Sequence, residues 1–306
     1  MARIARLPSI SVLPSLIPAL ILAPLFLAAC SPHAPSAPPA SPSTPASTGA
    51  APGTEAPTAT ASPPPPSPES TSKTPLAHAT KIDTDTYSFE YGWPAAPDAV
   101  PPLRAWLAAD EATARRHLVA ESASAKADAA RGEYPFHPLG RWQEWQVLAD
   151  TPGWLSLTAL IGIDSGGAHP NYAYAATLWD KAAGQRRKTI DLFTTPAALA
   201  TAIHTPFCAE LQAQRAHKRG GQASLSQPSM DMSEFDTCPD PLAQTLALRA
   251  DSSAGFNHLV VLIAPYEAGP YAEGTYEIAL PVTPALLASV KPQWRNSFTP
   301  IRKSGG

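Results

Sequence analysis

The chain has 306 residues, of which 37 are proline and 15% are charged, and its formal net charge is -3. A balance this close to neutral, with no basic stripe along the chain, argues against a nucleic-acid-binding protein. Once the N-terminal segments described below are set aside, the remaining length is enough for one domain or two small subdomains.

The first thirty residues have the features of an export signal. Two arginines form a short positive region, and an apolar stretch without any charge follows over residues 10–27. The sequence Leu-Ala-Ala-Cys at 27–30 places small residues directly before a cysteine, which is the pattern that a lipoprotein signal peptidase requires. We therefore predict a lipoprotein signal peptide over residues 1–30, with lipid attached to Cys30. Its removal would move the formal charge to about -5.

A transmembrane anchor is the alternative for the same segment. Pro14, Pro18 and Pro24 would interrupt such a helix, so the lipoprotein interpretation is favoured. Ser31 stands where an inner-membrane retention signal would be aspartate. By resemblance to sorted lipoproteins, we expect a lipid-anchored protein of the cell envelope, held in the outer membrane and facing the periplasm.

Residues 31–77 form a linker that is almost entirely proline, alanine, serine and threonine up to Pro75. This composition cannot bury enough apolar surface to offset the conformational entropy of an ordered chain, so we predict a disordered tether. Its prolines favour extended polyproline II structure, and such a tether would span on the order of 100 Å.

Two cysteines remain after Cys30. In an oxidising compartment Cys208 and Cys238, thirty residues apart, most simply form one structural disulfide. A redox pair or a metal site is the alternative. Neither a CxxC spacing nor a nearby cluster of histidine and cysteine in the sequence supports that alternative.

The next part of the chain alternates between strand and helix patterns. The double proline at 101–102 is a helix start signal, and the helical pattern continues to Arg131 before Gly132. Alternating apolar residues predict strands on both sides of a glycine-rich loop, which indicates an antiparallel hairpin. The predicted strands cover residues 86–91, 145–149, 155–163 and 172–178.

The C-terminal part has the same mixed character. Pro196 opens a helix that Pro206 should kink or divide, and residues 215–240 form a polar loop. Strands are predicted at 256–264 and 276–280, before a short helix that starts at Thr283-Pro284 and ends by Pro292. The fold class is therefore α+β, with an antiparallel sheet packed against helices in two small subdomains.

Several short motifs resemble one known family. GGAHPN at 166–171 is followed by WD at 179–180, Gly184 and DLF at 191–193, and PYEAGPYAEG occupies 265–274. In this order the motifs are similar to those of the RsiV-type domain, also called DUF3298. The resemblance places such a domain at 151–292.

The resemblance extends more faintly towards the N-terminus. Residues 78–150 resemble the PdaC-type (DUF4163) domain that commonly precedes a DUF3298 domain, and residues 293–306 are left as a tail. The family implies an α+β fold and a function by binding. Its best-understood branch is a membrane-bound anti-sigma factor whose extracellular domain binds lysozyme. The sequence has no anti-sigma segment and no transmembrane helix, so we do not expect signalling of that kind.

By the same analogy, the two glycine-rich loops are candidates for a partner-binding surface. The expected partners are a lysozyme-like muramidase or peptidoglycan. The alternative is that both loops are hairpin turns retained for their geometry, with glycines supplying positive φ and tyrosines packing over the sheet edge. The candidate residues are Gly167, His169, Asn171, Pro265, Tyr266, Gly269 and Tyr271.

Catalysis is not expected. Asp164, Ser165 and His169 lie on a single loop, whereas a catalytic triad brings its members together from separate elements. The histidines lack an HExxH or similar ligand spacing, so neither a metal nor another cofactor is expected. A structural envelope lipoprotein without a soluble ligand, and an unrecognised cell-wall hydrolase, remain as alternative functions.

Overall fold

The computed structural model describes residues 74–220, 235 and 237–300. The predicted signal peptide, Cys30 with its lipid, and residues 31–73 of the predicted linker lie outside the described residues. The predictions made for them remain predictions.

A six-stranded sheet forms the first half of the structure, with its strands in sequence order. Every neighbouring pair is antiparallel except β2 and β3, which are parallel. A parallel connection needs a long crossover, and helix α2 (Pro101–Gly132) supplies it. The strands are β1 (Leu76–Asp83), β2 (Tyr87–Pro94), β3 (Leu139–Asp150), β4 (Trp154–Asp164), β5 (Asn171–Asp180) and β6 (Gln185–Arg187).

Helix α2 follows the short helix α1 (Ala95–Asp98) and covers one face of this sheet. It begins with two prolines, which need no backbone N–H partner at that position. Leu103, Leu107 and Leu118 are buried against apolar residues of β2 to β5. The prediction of one long helix reaching Arg131 is confirmed.

The second half contains a three-stranded antiparallel sheet and two helices around a second core. Helix α3 begins at Pro196, where the Thr195 hydroxyl accepts a hydrogen bond from the Ala198 N–H at 3.0 Å. These elements are α3 (Pro196–Lys218), β7 (Thr245–Arg249), β8 (His258–Ile263), β9 (Tyr276–Pro281) and α4 (Pro284–Ser289).

Helix α3 runs through Pro206 without a break, so of the two expected effects, a kink or a division, the division does not occur. The side chains of Ile203 and Phe207, on either side of this proline, are buried in the core. The helix also extends to Lys218, so the first residues of the predicted loop at 215–240 are helical. The predicted disulfide between Cys208 and Cys238 is present and joins α3 to the segment that precedes β7.

The two sheets pack against each other. Strand β7 lies against β3, β4 and β5. Ala247, Val260 and Leu262 of the smaller sheet are buried there, next to Tyr174 and Ala176 of β5. Both halves therefore share one interface, and the fold is α+β as predicted.

The structure also locates the predicted segment boundaries. The boundary between residues 150 and 151 falls at the turn between β3 and β4, which pair along their whole length, so it does not interrupt the sheet. Leu76 and Ala77 of the predicted linker belong to β1. Phe298 packs on Phe256 with ring centroids 5.4 Å apart, so the core continues into the predicted tail. Across the residues described, no helix is both long enough and apolar enough to cross a membrane.

Candidate functional site

The two loops singled out in the sequence meet in the structure, although they connect strands of different sheets. The loop between β4 and β5 carries His169, and the connection between β8 and β9 carries Tyr271. Their rings are stacked, with centroids 3.7 Å apart and an interplanar angle of 19°. The Tyr271 hydroxyl donates a hydrogen bond to the carbonyl oxygen of Pro170 at 2.8 Å. A ring stack and a hydrogen bond therefore join the two loops.

Three further aromatic residues extend this contact. The Tyr266 ring lies 5.7 Å from that of Tyr271, and the Tyr172 ring lies 6.4 Å from it on the sheet side. Trp142 meets Tyr172 edge to face at 5.9 Å. We call these five residues, Trp142, His169, Tyr172, Tyr266 and Tyr271, the aromatic site.

Register across the larger sheet explains how Trp142 reaches the aromatic site. Gly162 of β4 pairs with Trp142 of β3 on one side and with Tyr172 of β5 on the other. A side chain at position 162 would overlap the indole of Trp142, which lies over the bare glycine backbone. The glycine thus lets the tryptophan approach Tyr172 across the strand between them.

The β4–β5 loop is shaped by one carboxylate and one glycine. The Asp164 side chain accepts a hydrogen bond from the Gly166 N–H at 2.9 Å, and Gly166 has a φ of +80°. Gly167 and Asn171 are exposed, whereas His169 is half-buried. This part of the site is therefore accessible to a partner.

The β8–β9 connection presents Tyr266 in an unusual conformation. Tyr266 has a φ of 70°, a left-handed backbone conformation that residues with a side chain rarely adopt, and its side chain is 53% exposed. Its N–H donates to the carbonyl oxygen of Gly269 at 3.0 Å, which closes the turn. A strained backbone that holds a large aromatic side chain in solvent is a feature expected of a binding residue.

Basic residues near the end of α3 hold this connection in place. Lys218 donates to the carbonyl oxygens of Glu273 and Thr275 at 2.6 and 2.5 Å, and Arg219 donates to the Glu273 carboxylate at 2.6 Å. The buried Arg215 donates to the carbonyl oxygen of Ala268 at 2.8 Å. We call Arg215, Lys218 and Arg219 the α3 clamp.

The Glu273 carboxylate is the centre of the clamped connection. It also accepts a hydrogen bond from the Tyr276 hydroxyl, and burial is the main cause that raises the pKa of Tyr276 well above its ordinary value. A side chain at Gly269 would collide with this carboxylate, which explains the glycine. The connection is thus held by contacts to helix and strand before any partner binds.

The structure separates the predicted partner-binding residues into two groups. Gly167, Asn171 and Tyr266 are exposed, and His169 and Tyr271 are partly exposed. Pro265 and Gly269 are buried, so they shape the connection and do not form part of the accessible surface.

Sequence reasoning missed Trp142, Tyr172 and the α3 clamp. For Trp142 and Tyr172 the sequence did contain a signal. Alternating apolar residues predicted strands in this region, and the pairing of those strands places both residues beside Gly162.

The side chains of the site offer aromatic rings and hydroxyls. Burial, with Tyr172 next to it, raises the pKa of Tyr271, so its hydroxyl remains protonated near neutral pH. The His169 ring has a contact on each nitrogen: Nδ1 lies 3.2 Å from the carbonyl oxygen of Pro170, and Nε2 lies 3.3 Å from the Tyr266 hydroxyl. The Asp164 carboxylate is engaged with its own loop. These contacts favour stacking and hydrogen bonding over proton transfer by a triad.

One group of potential metal ligands lies elsewhere, on α3. His204 stands one helical turn before Cys208, and its ring nitrogens are 3.8 and 3.9 Å from the Cys208 sulfur. Together with Cys238 these residues bring three potential ligand atoms within 4.8 Å of one another.

Comparisons with known proteins give a likeness of fold. A DUF3298 family protein from Pseudomonas aeruginosa PAO1 is 16% identical with a TM-score of 0.46, and the similarity covers 74% of this chain and 98% of that one. A member of the same family from Bacteroides fragilis NCTC 9343 is 14% identical with a TM-score of 0.43, over 67% of this chain and 89% of the other. No family model and no curated protein matches the sequence. At these levels of similarity we base no functional conclusion on the two structures.

Proposed function

We propose that the chain is a non-catalytic binding module of the bacterial cell envelope, and that it contacts its partner through the aromatic site. The observation that carries this proposal is the convergence of two separate loops into one partly exposed group of aromatic rings.

The arrangement is suited to recognition. Tyrosine is among the residues that contribute most binding energy at protein surfaces, because it combines a large ring with a hydroxyl. The α3 clamp and the His169–Tyr271 stack fix the loops before binding, which lowers the entropy lost on association. Tyr266 is the exposed end of this rigid surface.

The family resemblance supplies the partner class. We propose a component of the cell envelope, either a lysozyme-like muramidase or peptidoglycan. We further propose that lipid on Cys30 holds the module at a membrane, with the proline-rich segment as its tether. In the outer membrane, facing the periplasm, the module would lie near both candidate partners.

A binding assay tests the proposal. The purified chain is incubated at micromolar concentration with immobilised c-type lysozyme and, separately, with insoluble peptidoglycan. We expect one of them to retain the chain, and Tyr266→Ala and His169→Ala to weaken retention at least tenfold, which is about 1.4 kcal/mol. Tyr134→Ala is the matched control, because Tyr134 is 55% exposed and lies on the turn after α2. Failure of both baits to retain the chain leaves a structural lipoprotein without a soluble ligand as the better interpretation.

A separate measurement addresses hydrolysis. The chain is incubated with muropeptides and acetylated glycans, and the products are followed over time. We expect no turnover. Turnover that disappears in His169→Ala would replace the binding proposal with a cell-wall hydrolase.

A further inference from the structure

Helix α3 and the segment before β7 bring one histidine and two cysteines together away from the aromatic site. Cys208 lies on α3, and Cys238 is bonded to it from the other segment. His204 is exposed, and both cysteines are partly exposed, so solvent and small solutes can reach all three. From the sequence, His204 is an isolated histidine and no cluster of histidine and cysteine is expected. The structure corrects this, because His204 lies beside the two cysteines.

The spacing along α3 places two of these ligands on one face of the helix. Residues four apart in a helix lie one above the other, as His204 and Cys208 do. Histidine and thiolate ligands are also those that zinc prefers at tetrahedral sites. The third ligand, Cys238, approaches from a different segment, so the three converge from two directions.

Distances show how little rearrangement a cation would require. With zinc bonds of about 2.3 Å to sulfur and about 2.0 Å to nitrogen, a tetrahedral ion separates a sulfur and a nitrogen ligand by about 3.6 Å. The two ring nitrogens of His204 already lie 3.8 and 3.9 Å from the Cys208 sulfur. The two sulfur atoms must move apart to about 3.8 Å once they are no longer bonded. The His204 nitrogen lies within 4.8 Å of the Cys238 sulfur and must come to about 3.6 Å from it.

We propose that His204, Cys208 and Cys238 form a Zn²⁺ site in the reduced protein, and that this site and the disulfide exclude each other. A dithiol reductant supplies two electrons and two protons to the disulfide and becomes a disulfide itself, which leaves two protein thiols. Zn²⁺ then binds both sulfurs as thiolates and releases their two protons to solvent. His204 is the third ligand, and a water molecule completes the tetrahedron.

The site has a structural consequence. The disulfide ties α3 to the segment that leads into β7. Zn²⁺ held by the same cysteines would tie the same two segments together, so the cation would replace the covalent link when the cysteines are reduced.

Metal uptake by the full chain tests the proposal. The protein is reduced with a phosphine, desalted without oxygen and dialysed against Zn²⁺ alone. We expect the reduced chain to bind one Zn²⁺ and the oxidised chain to bind none. We expect His204→Ala to weaken binding of the reduced chain at least about tenfold, since loss of even an outer-shell partner has that effect. His217→Ala is the matched control, because His217 is an exposed histidine on the same helix.

Two further readouts keep the test independent of folding defects in cysteine variants. Bound Zn²⁺ should slow alkylation of the reduced cysteines by iodoacetamide and should raise the melting temperature of the reduced chain towards that of the oxidised one. Absence of Zn²⁺ uptake by the reduced chain overturns the proposal. So does equal uptake by the oxidised chain, or by His204→Ala.

Discussion

His169 and Tyr271 lie face to face with ring centroids 3.7 Å apart, although one belongs to the six-stranded sheet and the other to the three-stranded sheet. The contact joins the two halves of the protein at the tips of their hairpins. The aromatic site therefore exists only when both sheets are folded and packed together, and its integrity can be measured as a coupling between two side chains.

A double-mutant cycle measures that coupling. We expect His169→Ala and Tyr271→Ala to show a coupling free energy of about 0.5–1.5 kcal/mol in urea unfolding, because stacked rings stabilise each other beyond the area that they bury. Tyr271→Phe keeps the ring and removes the hydrogen bond to Pro170, which should cost about 1 kcal/mol. Strict additivity of the two alanine variants would contradict the stacked arrangement.

The left-handed backbone at Tyr266 predicts that glycine is more stabilising than alanine at this position, which is the reverse of the usual order. At most positions glycine is less stabilising than alanine by about 0.5–1 kcal/mol. At a φ of 70° the order should reverse, so that Tyr266→Gly unfolds with a free energy about 1 kcal/mol higher than Tyr266→Ala. Urea denaturation of the two variants checks this. Both should bind the partner equally weakly, because both lack the ring; a glycine variant less stable than the alanine variant would contradict the strain.

Close packing around Glu273 gives a third prediction. The added methyl group of Gly269→Ala would meet a carboxylate that Arg219 and Tyr276 hold in place. We expect this variant to lose about 1–3 kcal/mol of unfolding free energy, the usual cost of overpacking. Gly167→Ala is the control, since nothing lies within 4 Å of the added atom. Equal stability of the two variants would show that the connection yields and is not rigidly held.

Asp180 provides a prediction of pH dependence. Burial alone would raise the pKa of its carboxyl, but hydrogen bonds from the Ala183 N–H at 2.9 Å and from Arg187 at 2.8 Å, with the charge of Arg187, outweigh burial and lower the pKa. A carboxyl whose pKa is lower in the folded state stabilises the fold above its unfolded pKa, about 3.9, and this stabilisation is lost as pH falls through the folded pKa.

The corresponding variant is Asp180→Asn. We expect it to lose about 2–4 kcal/mol in urea unfolding at pH 7, because it removes the charged partner of a partly buried arginine. The difference from the unmodified protein should begin to shrink below about pH 4, the unfolded pKa, and should continue to shrink as pH falls through the lower folded pKa of Asp180. Asp150→Asn, in an exposed ion pair with Lys181, should cost less than about 1 kcal/mol at any pH. A difference that does not change with pH would exclude the ion pair as its cause.

Local patterns in the sequence predicted most of the elements. The alternation around Leu157 gave β4, because every second residue of that strand faces the core beneath α2. Prolines marked the start of α2 and α3. Strand β1 was missed because it lies at the sheet edge with its residues largely exposed, so it lacks a continuous apolar face.

The arrangement of the aromatic site could not be predicted in the same way. Glycine and tyrosine residues indicated both loops in the sequence. Whether the two loops come into contact depends on how β7 packs across the larger sheet, which is a contact between distant parts of the chain. The clamp on Glu273 depends on the same packing. His204 is different, because its spacing of four residues from Cys208 was visible in the sequence and predicts that the two share a helix face.

The pairing of β1 shows where the chain enters the larger sheet relative to the aromatic site. Leu76, the first residue of β1, pairs with Pro94 at the end of β2, whereas the start of β2 pairs with Leu139, beside the tip that carries His169. The incoming chain thus joins the sheet at a level remote from that tip. The aromatic rings therefore lie at the opposite end of the larger sheet from the point where the chain enters it.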